Sequence, residues 1–167
     1  MRKLLIGGAL AVVVVSLAAC GGSSMSSASE EALQRKADFY AIDQLEVKFH
    51  RATSRHDIDL MMSLWAPNAT FTTGPGQTVT GKERIRRFWL SKSEVFKPEN
   101  HWVSDTAAYK IRKTVNGDRG TVYFECHYLD SRTGKVAAIT AADQQVARID
   151  GHWLITNMVG ASATLNP

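Results

Sequence analysis

Cysteine is nearly absent from this chain, occurring only at Cys20 and Cys126, so a disulfide framework does not hold it together. Metal-ligand spacings are missing as well: no CxxC or HxxxH occurs, and no metal site is expected. No serine sits in a GxSxG setting. The glycine cluster Gly74-Pro75-Gly76 has a proline where a phosphate cradle needs amide groups, so no cofactor is expected. Strong charge of one sign is lacking too, the formal net charge being +4 over 167 residues. No Lys/Arg run is interleaved with aromatics in the manner of a nucleic-acid groove, so no nucleic-acid partner is expected. Lys82, Arg84, Arg86 and Arg87 read instead as the solvated face of a helix. No apolar run reaches the ~20 residues that span a bilayer.

What is present begins with an address. Arg2 and Lys3 precede the apolar run Leu4 to Val15, and small residues lead to Cys20, the plan of a secretory signal peptide. The ending Leu17-Ala18-Ala19-Cys20 resembles a bacterial lipobox. That resemblance implies cleavage after residue 19 and a lipidated Cys20, hence a membrane partner and an extracytoplasmic location. Gly21-Gly22 lacks the aspartate of inner-membrane retention, which favours the outer membrane in a Gram-negative host. Residues 20–29 read as a flexible tether, residues 30–160 as a single domain, and 161–167 as a loose tail. Cys126, in an apolar-alternating run, reads as a buried thiol.

The domain opens with a helical pattern: Leu33, Ala37, Ala41, Ile42, Leu45, Phe49 and Ala52 recur at 3-to-4 spacing, with Glu46, Lys48 and Arg51 falling between them. Ser27 and Glu30 suggest a capping box at its start. Asp57 caps a second, short helix that Pro67 stops. A strand over Ala69 to Thr72, a Gly/Pro turn and a third helix after Gly81 follow. From Val103 the period becomes two. Asn116-Gly117-Asp118, Asp130 to Gly134 and Asp150-Gly151 are hairpin turns between four strands. Three helices before an antiparallel meander make an α+β fold.

The stretches AIDQLEVKFHRATSRHDIDLMMSLWAPNATF, GKERIRRF and ARIDGHWLI, in that order, resemble the SnoaL-like domains of the nuclear transport factor 2-like superfamily. The resemblance implies a cone: a strongly curved antiparallel sheet wrapped around the long N-terminal helix, with two shorter helices and a pocket open at one end. It implies Phe49, His50, Trp65, Phe71 and Trp89 as pocket residues, with His50 looking either into the cone or away from it. Steroid-isomerase-like members carry a tyrosine in the first helix, an aspartate base after the first strand and an aspartic acid before the Asp-Gly turn. Here those positions fall at Phe49, Thr73 and Asp143, so one of the three groups remains.

Asp143, flanked by Ala141, Ala142, Val146 and Ala147, is the candidate acid or base, since a carboxylate among apolar residues is costly unless paired or protonated. The alternative is a satisfied or exposed strand residue. His127, Tyr123 and Glu125 share a face of the preceding strand and are its candidate partners. A hairpin around Ser131-Arg132-Thr133 sets Leu129 near Lys135 and His127 near Ala137, so a His127–Asp143 dyad needs a bulge. Three functions stand open: a tethered domain binding a small, largely apolar molecule or a partner protein; a lyase, cyclase or isomerase using Asp143; and a homodimer formed through the sheet face.

Overall fold

The computed structural model describes residues 26–104 and 110–165. The leader, Cys20 and most of the tether lie outside the described residues. Helix α1 runs Ser27–Ser54 and is capped by Ser26, whose side chain accepts from the Ser29 amide, one residue earlier than the expected cap. Its inward stripe of Ile42, Leu45, Phe49 and Ala52 is buried. The chain leaves α1 through His56 at φ 53°, the Asp57 amide donating back to the Ala52 carbonyl at 2.8 Å, a left-handed helix stop. Asp57 then caps α2 (Ile58–Ser63), its Oδ1 accepting from the Leu60 amide at 2.8 Å.

Strand β1 spans Trp65–Thr73, so it begins before Pro67 rather than after it. The proline sits where the β1 register shifts between Trp65 and Thr70, a place in a sheet that tolerates a missing amide donor. A short β2 (Thr78–Thr80), not anticipated, pairs back on β1 before α3 (Lys82–Lys92) and one 3-10 turn at Glu94–Phe96. The single strand expected from Val103 to Val115 is two, β3 (Trp102–Ser104) and β4 (Lys110–Asn116). Both pair with β5 (Arg119–Asp130), which continues into β6 (Val136–Ile149) and β7 (His152–Thr164). β7 carries on through most of the segment expected to be a loose tail.

The sheet order is β2-β1-β7-β6-β5-β3, with β4 also on β5. It is mixed rather than wholly antiparallel, because β1 runs parallel to β7. Asp150 (φ 50°) and Gly151 (φ 79°) form the two-residue turn between Ile149 and His152, matching the twist of the flanking strands. Gly120 is required where β4 crosses β5: a Cβ there would lie 2.6 Å from the Thr114 carbonyl oxygen. One face of the sheet packs on α1 through Val122, Phe124, Cys126 and Tyr128 of β5, Ala142, Gln144 and Val146 of β6, and Trp153, Ile155 and Met158 of β7. The curved sheet therefore encloses α1, and the interior between them is where the site lies.

Candidate functional site

The inward stripe of α1 is not wholly apolar. Glu46 follows Ile42 by four residues and precedes His50 by four, and the two side chains are 1% and 4% exposed. Helical spacing of 3.6 residues per turn stacks them on the same side. Thr53, fully buried, continues the row and donates to the His50 carbonyl at 2.8 Å. Facing them are Phe124, Cys126 and Tyr128 of β5 and Gln144 of β6, the last 2% exposed. The His50 and Phe124 rings meet edge to face at 5.4 Å. The Tyr128 phenol lies beside Thr53.

Several polar atoms in this interior have no hydrogen bond. Both carboxyl oxygens of Glu46, His50 Nε2 and Gln144 Oε1 are buried without a partner. Gln144 stands near Glu46 and draws its pKa down somewhat, but no bond of regular geometry forms. Its Nε2 reaches only the Met158 sulfur, at 4.0 Å. His50 Nδ1 lies 3.3 Å from Ser104 Oγ. Leaving a buried polar group unpaired costs about 1–3 kcal/mol, and native structures keep few such groups, so several on facing elements single out this place.

Burial sets the protonation states. It pushes Glu46 up to about 8, with Gln144 acting against it, Asp43 adding to the rise and Lys113 opposing it. Lys113 is itself ion-paired with Asp43. Burial likewise holds His50 down at about 4 and pushes the Tyr128 phenol up. At neutral pH the interior thus carries a carboxylic acid, a neutral imidazole and a neutral amide. Such a set can both donate and accept hydrogen bonds, or supply an acid and a base.

The expected pocket residues lie together. Trp65 meets Phe71 at 6.0 Å, Phe71 stacks on Trp89 at 5.4 Å, Trp89 meets Phe49 at 6.1 Å, and Phe49 meets His50 at 5.8 Å. This aromatic row packs against itself as core and ends at the polar cluster. Asp143 is different. It is exposed, on the sheet face turned away from α1, because the inward parity of β6 belongs to Ala142, Gln144 and Val146. It stands directly opposite Tyr123, whose phenol donates to Glu125 at 2.5 Å beneath the Arg112 guanidinium. A register shift between Tyr128 and Leu129 places His127 against Ile139 rather than Ala137. Tyr123, Glu125 and Asp143 are therefore grouped, but outside the interior. Thr73 is the last residue of β1, its Oγ1 accepting from the Gln77 amide across the turn that follows.

Two surface grooves lie away from this cluster. One of about 460 Å³ is lined by Thr114, Thr121, Gln145 and Thr156 among others; a second of about 400 Å³ lies beside Pro67 and Arg87. Neither has a buried ionisable group, and the interior cluster is the better candidate. Among the described residues no three His, Cys, Asp or Glu side chains could hold a metal ion.

The model of the SnoaL-like domain matches residues 47–155, about two thirds of the chain. The chain belongs to the SnoaL-like domain family. Solved structures similar to this SnoaL-like chain include an NTF2-like protein with a cystatin-like fold from Novosphingobium aromaticivorans: TM-score 0.70 at 15% identity, covering 84% of this chain and 91% of that one. LinA gives 0.66 at 18% identity over 81% and 92%. A protein of unknown function with a cystatin-like fold from Nostoc punctiforme gives 0.65 at 16% identity over 78% and 95%. At these identities the likeness establishes the fold. No curated protein matches the sequence.

Proposed function

We propose that this SnoaL-like domain, tethered to a membrane outside the cytoplasm, binds a small, largely apolar molecule in its interior. The observation that carries the reading is the set of unpaired polar atoms of Glu46, His50 and Gln144 at the end of an aromatic row. A ligand with an apolar body and one polar head would pack on Phe49 and Phe124 and give those atoms partners. The tether rests on Leu17-Ala18-Ala19-Cys20. A thermal-shift screen with steroids, aromatic amides and polyketide-like phenols tests the binding reading. Several compounds should raise Tm, the gain growing with the logarithm of ligand concentration over Kd, and the gain should be reduced in His50→Leu. No shift across the panel would overturn it.

A second reading, an acid–base enzyme, is favoured by a neutral carboxyl one helical turn from a neutral imidazole. On that reading Glu46→Gln abolishes turnover of a bound compound while leaving its binding intact. Unchanged turnover in Glu46→Gln would remove it. Asp143, on the far face, has no part in either.

A further inference from the structure

Both ends of the sheet are guarded against pairing with another chain, but one flank is not. Strands β2 and β3 are three residues long each, and β4 carries Arg112 and Lys113. Short strands and charged side chains discourage edge-to-edge contact. Strand β7, by contrast, outruns its neighbour. β1 pairs with it only as far as Thr73, opposite Gly160, and the chain then turns through Gly74-Pro75-Gly76 to β2, on the far side of β1. Residues Ala161 to Thr164 continue as strand, with β6 as their partner. This stretch has no charge, no proline and no bulky side chain, and all of it is exposed.

Backbone parity decides which groups face that open flank. The Leu165 amide donates to the Ala137 carbonyl at 2.8 Å, and antiparallel bonding alternates every second residue. Ala161 and Ala163 therefore point their amides and carbonyls at β6, and Ser162 and Thr164 point theirs away from it. Among the described residues no strand or turn pairs with those outward groups. On the sheet face turned away from α1, Val159 and Leu165 stand 49% and 38% exposed at either end of the stretch, and Ile139, opposite Ala163, 42%.

Reciprocity sets the occupant. Two copies of this segment laid antiparallel about a two-fold axis at Ala163 bring Ser162 of each against Thr164 of the other. Each such pair exchanges both of its N–H···O=C bonds. The same axis sets Ala163 beside Ala163, and Ala161 beside Leu165 of the copy, so small and apolar side chains meet and no charge faces its own kind. An unrelated peptide strand draws its specificity from pockets for alternate side chains, and neither surface groove described above reaches this flank.

We propose that two copies of this chain join edge to edge through residues 161–165, extending the curved sheet across a two-fold axis at Ala163. Each copy uses its flank once, so the assembly closes at two.

Sedimentation equilibrium of the whole chain from about 1 μM to about 1 mM tests the pairing. The mass should rise towards twice that of the monomer and stop there. Residue-resolved amide exchange should slow with concentration at Ser162 and Thr164 more than at Ala163, whose amide β6 already holds. Ser162→Pro removes an amide that β6 does not use, a position where an edge strand tolerates proline. It should weaken association at least about tenfold with Tm near that of the unaltered chain. Ala163→Lys and Ala163→Glu, both outward-facing, should each stay monomeric, since like charges meet on the axis. Their one-to-one mixture should pair again, a result that decides the matter even where the proline variant fails to fold. A monomer throughout the range would overturn the proposal. So would growth beyond two copies, a dimer indifferent to a folded Ser162→Pro, or a lysine–glutamate mixture that stays monomeric.

Discussion

Glu46 and His50 make opposite demands on pH. Glu46 stays protonated in the fold up to about 8 against an ordinary 4.5, so between those values the folded state holds the extra proton and stability falls as pH rises. His50 refuses its proton down to about 4 against an ordinary 6.5, so over that span the unfolded state holds the extra proton and stability rises with pH. The two slopes cancel between about 4.5 and 6.5. Above 6.5 the Glu46 slope acts alone, about 1.4 kcal/mol per pH unit until pH 8. Denaturant melts from pH 5 to 9 should therefore show a plateau, then a decline from 6.5 to 8 that is absent in Glu46→Gln. The signal for Glu46 was present in the sequence. Four residues after Ile42 and three before Phe49, it falls on the apolar stripe rather than beside it. The parity of Asp143 was not legible, because alanine occupies both 141 and 142 and marks neither face.

At the scale of elements, what was legible is local chemistry. Asp57 caps α2 and Asp150-Gly151 turns the last hairpin because each works within a few residues. The parallel β1–β7 pairing joins segments some ninety residues apart, and periodicity carries no information about such partners. The register shift before Leu129 likewise depends on β6 meeting β5 and not on the turn alone. The same distance effect hid the clamp on the first helix. Asp38 is buried and accepts from Arg148 at 2.5 Å, Gln34 at 3.0 Å and Trp153 Nε1 at 3.3 Å, pinning α1 to the β6–β7 hairpin. Arg148 keeps a second partner, Asp118 at 3.1 Å, so it is not stranded when Asp38 is removed. Asp38→Ala should cost about 1–3 kcal/mol, measured as a lower urea midpoint with an unchanged m-value. A change under a few tenths of a kcal/mol would show that the clamp is ornamental.

For the molecule as a whole, the SnoaL-like fold was legible from the order of its elements, whereas the use of its interior was not. A family fold serves many functions, and the distinction lies in which side chains face inward. The aromatic residues foreseen as a pocket wall pack mainly on one another, and the polar groups that distinguish this interior come from Glu46 and Gln144 alongside His50. The proposed tether is separable from all of this. In cells, the chain should incorporate a labelled fatty acid, and Cys20→Ser should not, with the Tm of the domain unchanged. Absence of label from the unaltered chain would contradict lipid anchoring.

Glu46 is an uncharged acid without a hydrogen-bond partner inside the sheet. A carbon-13 NMR titration of the Glu46 side-chain carboxyl in the free protein tests it most directly. The expected midpoint is about 8; a midpoint near 4.5 would mean a hydrated or paired carboxylate and would contradict the account.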